Sequence, residues 1–537
     1  MCRKRSLAIS IGLALIPLIA LAAPMLVTPG AMRPVATIDE RFLSYNVEMA
    51  EVIGGDFWKP YTDASTAPLE AETVRQGSRP DGAVPSGVAG QDPTMFQARP
   101  PIDLSNLRLR MLAAALGPAY MRTSGTWANS VYFQGADVPP PAAPPNGFRG
   151  VLTRSEWKGV IDFSRAVGAK LVTSFAISPG VRDSNGLWTP DQARRFVTYT
   201  KDAGGDIAAA EFFNEPDMPA FGGAPTRYTA ANYARDFVVF REFAKATVPD
   251  MAIVGPGSVG EGVLWPAISG SMMAGFLSTN AMLSAVPPPR YDIFSYHFYG
   301  AASIRCASMG AGAQTTPDAA LSEAWLARAD ISYNFYVVGL RDRYEPRKPV
   351  WVTETADSAC GGNPWASTFL DSFRFIDQLA RLAKQGVSVI FHNTLASSDY
   401  GLLDQNTFTP RPNYWAALLW RKLMGPTVLD AGPLQPGLHL YAHCLRGHAR
   451  GVTLLAINLS RTEKKVIDVP VTAERYVLTA PKLEDSHLKL NGQDIRLTAD
   501  YELPEPRGSR TSAGPIDLEP ASITFLAVAD AGNEGCR

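Results

Sequence analysis

Two glutamates close two separate apolar runs. The first run, Ile207-Ala208-Ala209-Ala210-Glu211-Phe212-Phe213, leads into Asn214-Glu215-Pro216. The second, Pro349-Val350-Trp351-Val352-Thr353, ends in Glu354. Short β-type runs, each delivering a carboxylate at its C-terminal end, are what a parallel barrel needs to bring two acids to one mouth. Two carboxyl groups flanking an acetal are the equipment of a glycoside hydrolase: one protonates the leaving oxygen, and the other attacks the sugar carbon or activates water. Either glutamate alone is an ordinary turn residue. The pair, on different strands far apart in the chain, carries the reading.

The elements that must position this pair alternate along the chain. Strands are predicted at Phe42–Val47, Ala119–Arg122, Lys170–Ala176, Ala208–Asn214, Met251–Gly255, Tyr291–His297, Val350–Glu354 and Val387–His392. Helices are predicted at Asp103–Leu116, Arg154–Val167, Pro190–Ala203, Ala230–Ala246, Leu264–Leu283, Pro317–Arg343, Ser367–Gln385 and Pro412–Met424, with entry signals such as Thr189-Pro190-Asp191 and Thr316-Pro317-Asp318. Eight β-α pairs predict an α/β fold, a (β/α)8 TIM barrel over residues 40–425. Glu215 then ends the fourth strand and Glu354 the seventh, on one face, at an expected separation of about 5–5.5 Å that suits a retaining mechanism.

After Gly425 the pattern becomes short β runs with polar turns: His439–His443, Val452–Ser460, Lys465–Val469, Tyr476–Thr479, Ile495–Leu497 and Ser522–Val528. Residues 426–537 are therefore expected to form a C-terminal β-sandwich, with an added N-terminal strand at Val35–Ile38 from the 31–39 segment. Cys444 near its start and Cys536 near its end are expected to close it with a disulfide. Residues 54–101 and the proline-rich 135–150 read as loops, the second lying over the barrel mouth.

The 537 residues are 46% hydrophobic and 19% charged, enough for a large core. Residues 1–23 read as an export signal: basic Arg3, Lys4 and Arg5, an apolar Leu7–Ala22, and a small-residue end at Ala20-Leu21-Ala22. An uncleaved anchor is the lesser alternative, because apolar character runs on to Val27. A secreted or periplasmic protein with no lasting membrane contact is expected. Cleavage leaves 47 basic against 51 acidic residues and no Lys/Arg block, which argues against nucleic acid as a partner. Four cysteines remain after Cys2 leaves, none with metal-ligand spacing, so no metal is expected.

With these pieces in order, the chain resembles glycoside hydrolase family 79, the heparanase and β-glucuronidase family. The resemblance rests on Arg41-Phe42-Leu43-Ser44, Pro118-Ala119-Tyr120-Met121-Arg122, Ser124-Gly125-Thr126, Asn214-Glu215-Pro216, His297-Phe298-Tyr299, Thr353-Glu354-Thr355, Gly361-Gly362, Asp399-Tyr400-Gly401-Leu402-Leu403-Asp404 and Pro412-Asn413-Tyr414-Trp415. It implies Glu215 as acid/base and Glu354 as nucleophile, Asn214 on the sugar 2-hydroxyl, Tyr299 orienting the nucleophile, and Glu48 on sugar hydroxyls. His297, in the same stretch as Tyr299, is a further candidate for the site; by itself it reads as a hydrogen-bonded core histidine. Gly361, Gly362 and Tyr400 are implied to hold a uronic-acid carboxylate, through backbone N–H groups that approach closely for want of a Cβ and through a phenol. The implied partner is a glucuronic-acid-containing oligo- or polysaccharide, and no cofactor is implied. A terminal, exo cut is favoured over an internal cut in heparan sulfate.

This chain departs from the family pattern at Ser124, where Gly is frequent, at Ser398, where heparanases tend to have Gly, and in the Glu354-to-Gly361 interval, which is one residue longer and contains Cys360. Cys360 and Cys306, each just beyond a barrel strand, are expected to pair. Trp127, Trp188 and Trp365 each follow a strand and are candidate sugar platforms. The rival classes are a carbohydrate-binding barrel without catalysis and a barrel hydrolase of neutral sugars.

Overall fold

The computed structural model describes residues 24–61, 92–268 and 275–537. The predicted export signal, residues 62–91 of the predicted 54–101 loop and residues 269–274 of the predicted Leu264–Leu283 helix lie outside the described residues.

Eight parallel strands close a barrel in chain order. We label them β1 (Leu43–Asn46), β2 (Tyr120–Thr123), β3 (Lys170–Ser174), β4 (Ile207–Glu211), β5 (Ala252–Val259), β6 (Ile293–Ala302), β7 (Val350–Ala359) and β8 (Val389–His392). The main helices between and after them among the described residues are α1 (Leu107–Ala115), α2 (Arg154–Ala166), α3 (Asp191–Asp202), α4 (Ala230–Thr247), α5 (Thr279–Leu283), α6 (Arg328–Tyr333), α7 (Phe369–Lys384) and α8 (Pro412–Leu423), with shorter turns of helix at Met49–Ile53, Glu323–Leu326 and Asp342–Tyr344. Local chemistry starts several of them. Thr153 and Thr229 cap α2 and α4 through their side chains, Asn106 caps α1, and Pro412 opens α8 where its missing N–H is harmless.

One end of the barrel is plugged by Val172, Ala209, Val254, Trp351, Val389 and Phe391, with Tyr120 and Ile293 packed against them. Two residues further along four of these strands, the inward positions turn polar: Arg122, Glu211, Thr353 and Asn393. The period of two that points one apolar residue inward also points its polar successor inward, one layer higher.

The second layer structure is a sandwich. Its larger sheet runs Pro34–Thr37, Met424–Leu429, Leu438–Leu445, Val452–Asn458, Ser522–Val528 and Ala473–Thr479, then two short strands, with Ser509–Thr511 beside Ala473–Thr479. A three-stranded sheet of Met25–Leu26, Lys465–Val469 and Gly514–Leu518 covers it, burying Leu440, Leu454, Ile467, Ile516 and Leu526 between the two. Cys444 is bonded to Cys536. Helix α7 is buried from Phe369 to Ala383, wedged between barrel and sandwich. Its polar residues are paired: Asp377 accepts from Tyr441 (2.6 Å), contacts His439 Nδ1 (2.6 Å) and binds Arg381 (3.0 Å).

Four expectations change. The Pro317–Arg343 helix breaks into a 3-10 turn, a four-residue helix Glu323–Leu326, then α6 continuing as a π segment over Asn334–Arg341. Only Thr279–Leu283 of the Leu264–Leu283 stretch is α-helical among the described residues, with a 3-10 turn at Trp265–Ala267 where Pro266 removes a donor. Ile495–Leu497 is not a strand. The 54–101 stretch carries a two-stranded antiparallel ribbon, Gly55–Trp58 with Phe96–Arg99. Among the described residues no helix is long and apolar enough to cross a membrane.

Candidate active site

Arg122 organises the floor of the barrel mouth. It is fully buried, and its fork is filled. Nε and Nη2 donate to Glu211 Oε2 (3.0 and 2.7 Å), Nη1 to Glu354 Oε2 (3.0 Å), and Nη2 to Asn214 Oδ1 (2.7 Å). Thr353 Oγ1 donates to the other Glu211 oxygen at 2.7 Å. Burial alone would raise the Glu211 pKa, but Arg122 and the His297 and Thr353 hydrogen bonds override it and bring it down to about 2.

Glu215 lies four residues past the end of β4, beyond the strand in which it was expected to finish. It adopts φ 49°, left-handed for a non-glycine, in a turn held by Met218 N–H on Glu215 O (3.0 Å). Glu354 lies inside β7 rather than at its end. The β6–β7 register slips here: Tyr296 faces Val352 but His297 faces Glu354. The extra residue, Thr353, is a bulge that lets two successive side chains serve the interior, Thr353 on Glu211 and Glu354 at the mouth.

His297, 0% exposed, stands beneath both glutamates. Its Nδ1 is 3.1 Å from Glu215 Oε1 and 3.7 Å from Glu354 Oε2. A His297 ring nitrogen and one carboxylate oxygen each from Glu215 and Glu354 all lie within 4.8 Å of one another. Burial would lower the His297 pKa, but the Glu354 charge and hydrogen bonds with Glu211 and Glu215 raise it to about 10. The Glu215 carboxyl is raised, by burial and then by the Glu354 charge against the His297 hydrogen bond. Tyr299 Oη donates to Glu354 Oε1 at 2.7 Å, and burial together with the Glu354 charge keeps that phenol protonated.

These three residues have the spacing to ligate a metal, and among the described residues they are the cluster that does. A guanidinium 3.0 Å from Glu354 and a histidine with a raised pKa oppose a cation there.

The glutamates open into a cavity of about 520 Å³. Glu48, Tyr299, Tyr400 and Asn393 form one side. Asn393 Nδ2 donates to Tyr299 Oη and Tyr400 Oη, both at 3.1 Å, while Asn46 Nδ2 holds Asn393 Oδ1 at 3.1 Å. Glu48 has its pKa raised well above the usual carboxylate range by burial and by Glu354. A Cβ on Gly125 would lie 1.6 Å from Glu48 Oε2, so glycine there leaves room for the carboxyl.

Arg305 clasps the rim. It donates to Cys360 O (3.0 Å), Gly362 O (3.2 Å) and Lys59 O (2.6 Å), pairs with Asp399, and stacks on Tyr61 at 3.9 Å. The Cys306–Cys360 disulfide ties the same two loops.

Of the residues singled out in the sequence, Glu48, Glu215, Glu354, Tyr299 and Tyr400 line the cavity. Asn214 and His297 stand beneath it. Gly361 and Gly362 have positive φ and sit behind the wall, Gly361 against Trp58 and Arg305, Gly362 against Tyr400. Ser124 has its hydroxyl taken up by Ser174 at 2.6 Å, and Ser398 sits at φ 61°, a conformation glycine would adopt freely. Of the three candidate sugar-platform tryptophans, Trp127 lines the cavity. Trp188 is corrected to the core, against Phe212 and Phe240, and Trp365, half-buried, packs against the core. The sequence reading missed Arg122, Glu211, Asn393, Trp58 and Arg305 as site residues. The first three follow a plug residue by two positions, a signal visible in the sequence. Arg305 carries no such signal.

No family model matches the chain. It is 26% identical over 499 residues to heparanase-like protein 1 of Arabidopsis thaliana, covering 81% of this chain and 86% of that one. It is 23% identical over 485 residues to a hyaluronoglucuronidase of Hirudo nipponia, covering 81% and 92%. Among solved structures, a 4-O-α-L-rhamnosyl-β-D-glucuronidase from Fusarium oxysporum shares the fold, with TM-score 0.60 and 12% identity over 94% of this chain and 99% of that chain.

Proposed function

We propose that this chain, which belongs to the heparanase-like glycosidases of family 79, is an exported, retaining β-glucuronidase that releases terminal glucuronic acid. The observation that carries the reading is the buried pair Glu215 and Glu354, with carboxylate oxygens within 4.8 Å across His297 at the cavity floor. Carboxylates this close suit direct attack by one of them on the sugar carbon.

Glu354, held by Tyr299 and Arg122, attacks C1 along a fixed line. Glu215, whose pKa is raised, gives its proton to the leaving oxygen and then takes one from water to release the sugar. Asn214 has its carboxamide oxygen fixed by Arg122, which turns the amide N–H groups toward a sugar 2-hydroxyl. Glu48 serves the remaining hydroxyls and Tyr400 the uronate, with Gly362 behind Tyr400 letting the phenol pack close. The exo preference is supported by the scarcity of cations: among the described residues Arg305 is the one cation lining the cavity, and its guanidinium is engaged by four acceptors. The two disulfides support an oxidising site of action outside the cytoplasm.

The test uses 4-nitrophenyl β-glucuronide. Glu354→Gln is expected to lower kcat by about a thousandfold or more, and the wild type to prefer this substrate to the matching β-glucoside. Wild-type turnover in the variant sinks the nucleophile assignment and favours a binding-only or different site. Equal turnover of glucoside sinks the glucuronide assignment. Mass spectrometry of products from a heparan-type oligosaccharide separates a terminal from an internal cut.

A further inference from the structure

We infer that the leaving-group side of the cavity is built for an apolar, aromatic aglycone, so that the substrates are β-glucuronides of aromatic alcohols rather than polysaccharide ends. The inference rests on the glucuronidase reading and narrows its substrate class.

The cavity's polar groups include Glu48, Asn393, Tyr299 and Tyr400, from β1, β8 and β6 or the loops that follow them, with Trp58 and Trp127 also lining it. A continuous apolar wall comes from β5 and the loops after β4 and β5, which are neighbours in the barrel. It includes Met218, Phe221, Val259, Leu264, Trp265 and Phe276. Phe276 meets Phe221 edge-on at 5.7 Å and tilts against Trp265 at 5.0 Å, so the three rings brace one another. Gly260, at φ 83°, lets Trp265 close down, since a Cβ there would lie 2.7 Å from the indole.

The direction of the reaction assigns this wall. Glu215 delivers a proton to the leaving oxygen, so the departing group lies on the Glu215 side. The chain runs from Glu215 straight into Met218 and Phe221, joined by hydrogen bonds of Met218 N–H to Glu215 O and Phe221 N–H to Met218 O (3.0 and 3.1 Å). A sugar leaving group presents hydroxyls, and a sulfated one also presents anions. Among the described residues this wall offers them no cation, and both terminal nitrogens of Arg305 are already donating. A flat aromatic alcohol instead buries its face against rings that are already held in place.

The experiment measures binding by calorimetry, which removes leaving-group reactivity from the comparison. The probes are three non-hydrolysed thioglycosides: methyl and 2-naphthyl 1-thio-β-D-glucuronide, and a thio-linked glucuronyl-N-acetylglucosamine. The wild type is expected to bind the naphthyl compound at least about tenfold tighter than the methyl one, and the disaccharide no tighter than the methyl one. Trp265→Leu and Phe276→Ala are each expected to narrow the naphthyl-to-methyl ratio by threefold or more. Naphthyl binding no tighter than methyl, or disaccharide binding tighter than naphthyl, overturns the inference while leaving a glucuronidase that takes sugars. Binding of none of the three overturns the glucuronidase reading and this one with it. The wild-type ratios decide the question even if a variant does not fold.

Discussion

Arg122 is the residue whose removal tests the site most directly. Arg122→Met keeps the approximate length and apolar stem but leaves the acceptors on Glu211, Glu354 and Asn214 without their donor in a fully buried setting. The structure sets a scale: Glu211 is held at about 2 against an ordinary 4.5. That gap corresponds to about 3 kcal/mol, in line with the general cost of about 3–5 kcal/mol for breaking a buried ion pair. The sign gives a second handle. A carboxyl lowered on folding stabilises the protein above its unfolded pKa, and that stabilisation drains away as pH falls from about 4.5 toward 2. Urea unfolding should therefore show Arg122→Met destabilised by about 3 kcal/mol at pH 7, with the difference from wild type shrinking by pH 3. Arg122→Lys keeps the charge but cannot fork to Glu211, Glu354 and Asn214 together. It should fold, with kcat down about 10- to 100-fold as Glu354 loses its fixed line of attack. A methionine variant within about 1 kcal/mol of wild type at pH 7, or a lysine variant with full kcat, would refute the account of Arg122 as organiser of the floor.

Two further outcomes follow from other parts of the molecule. Gly125→Ala must displace Glu48 or strain the backbone at φ 93°, so we expect a loss of about 1–3 kcal/mol and a reduced kcat/KM; unchanged melting and kinetics would mean Glu48 has room to move. His439 lies on the sandwich strand Leu438–Leu445 with Asp377 at 2.6 Å on one ring nitrogen and Glu323 at 2.9 Å on the other, so both nitrogens carry hydrogen. Tyr441 and Arg381 share Asp377 with it. Its pKa is raised by Asp377 and Glu323 against burial, so its contribution is complete below about 6.5 and is lost as pH rises through the higher folded value. The stability gap between wild type and His439→Gln should narrow from pH 6 to pH 9, and a constant gap would show that the imidazolium is not what docks the sandwich.

The sequence by itself determined what depends on short-range pattern. The alternation of strand and helix runs implied eight β-α pairs, because burying one face of each element imposes a period that can be read locally. The two glutamates were legible because each closes an apolar run, and a parallel barrel sends all such ends to one face. Arg122, Glu211 and Asn393 were within reach by the same logic, two positions beyond Tyr120, Ala209 and Phe391. Tertiary structure alone decided the rest. The slip between β6 and β7 that turns Glu354 inward depends on hydrogen-bond register between two strands, and neither strand's sequence contains it. Trp127 and Trp188 both follow strands, yet one faces the cavity and the other packs on Phe212. Which one does so depends on distant segments: the Gly55–Trp58 and Phe96–Arg99 ribbon holds Trp127, and Phe240 of α4 meets Trp188. Arg305 acts on Lys59, Cys360, Gly362 and Asp399, backbone and side-chain groups from loops remote from it in the chain. No spacing announces such a residue, because its partners become neighbours only once the barrel has closed.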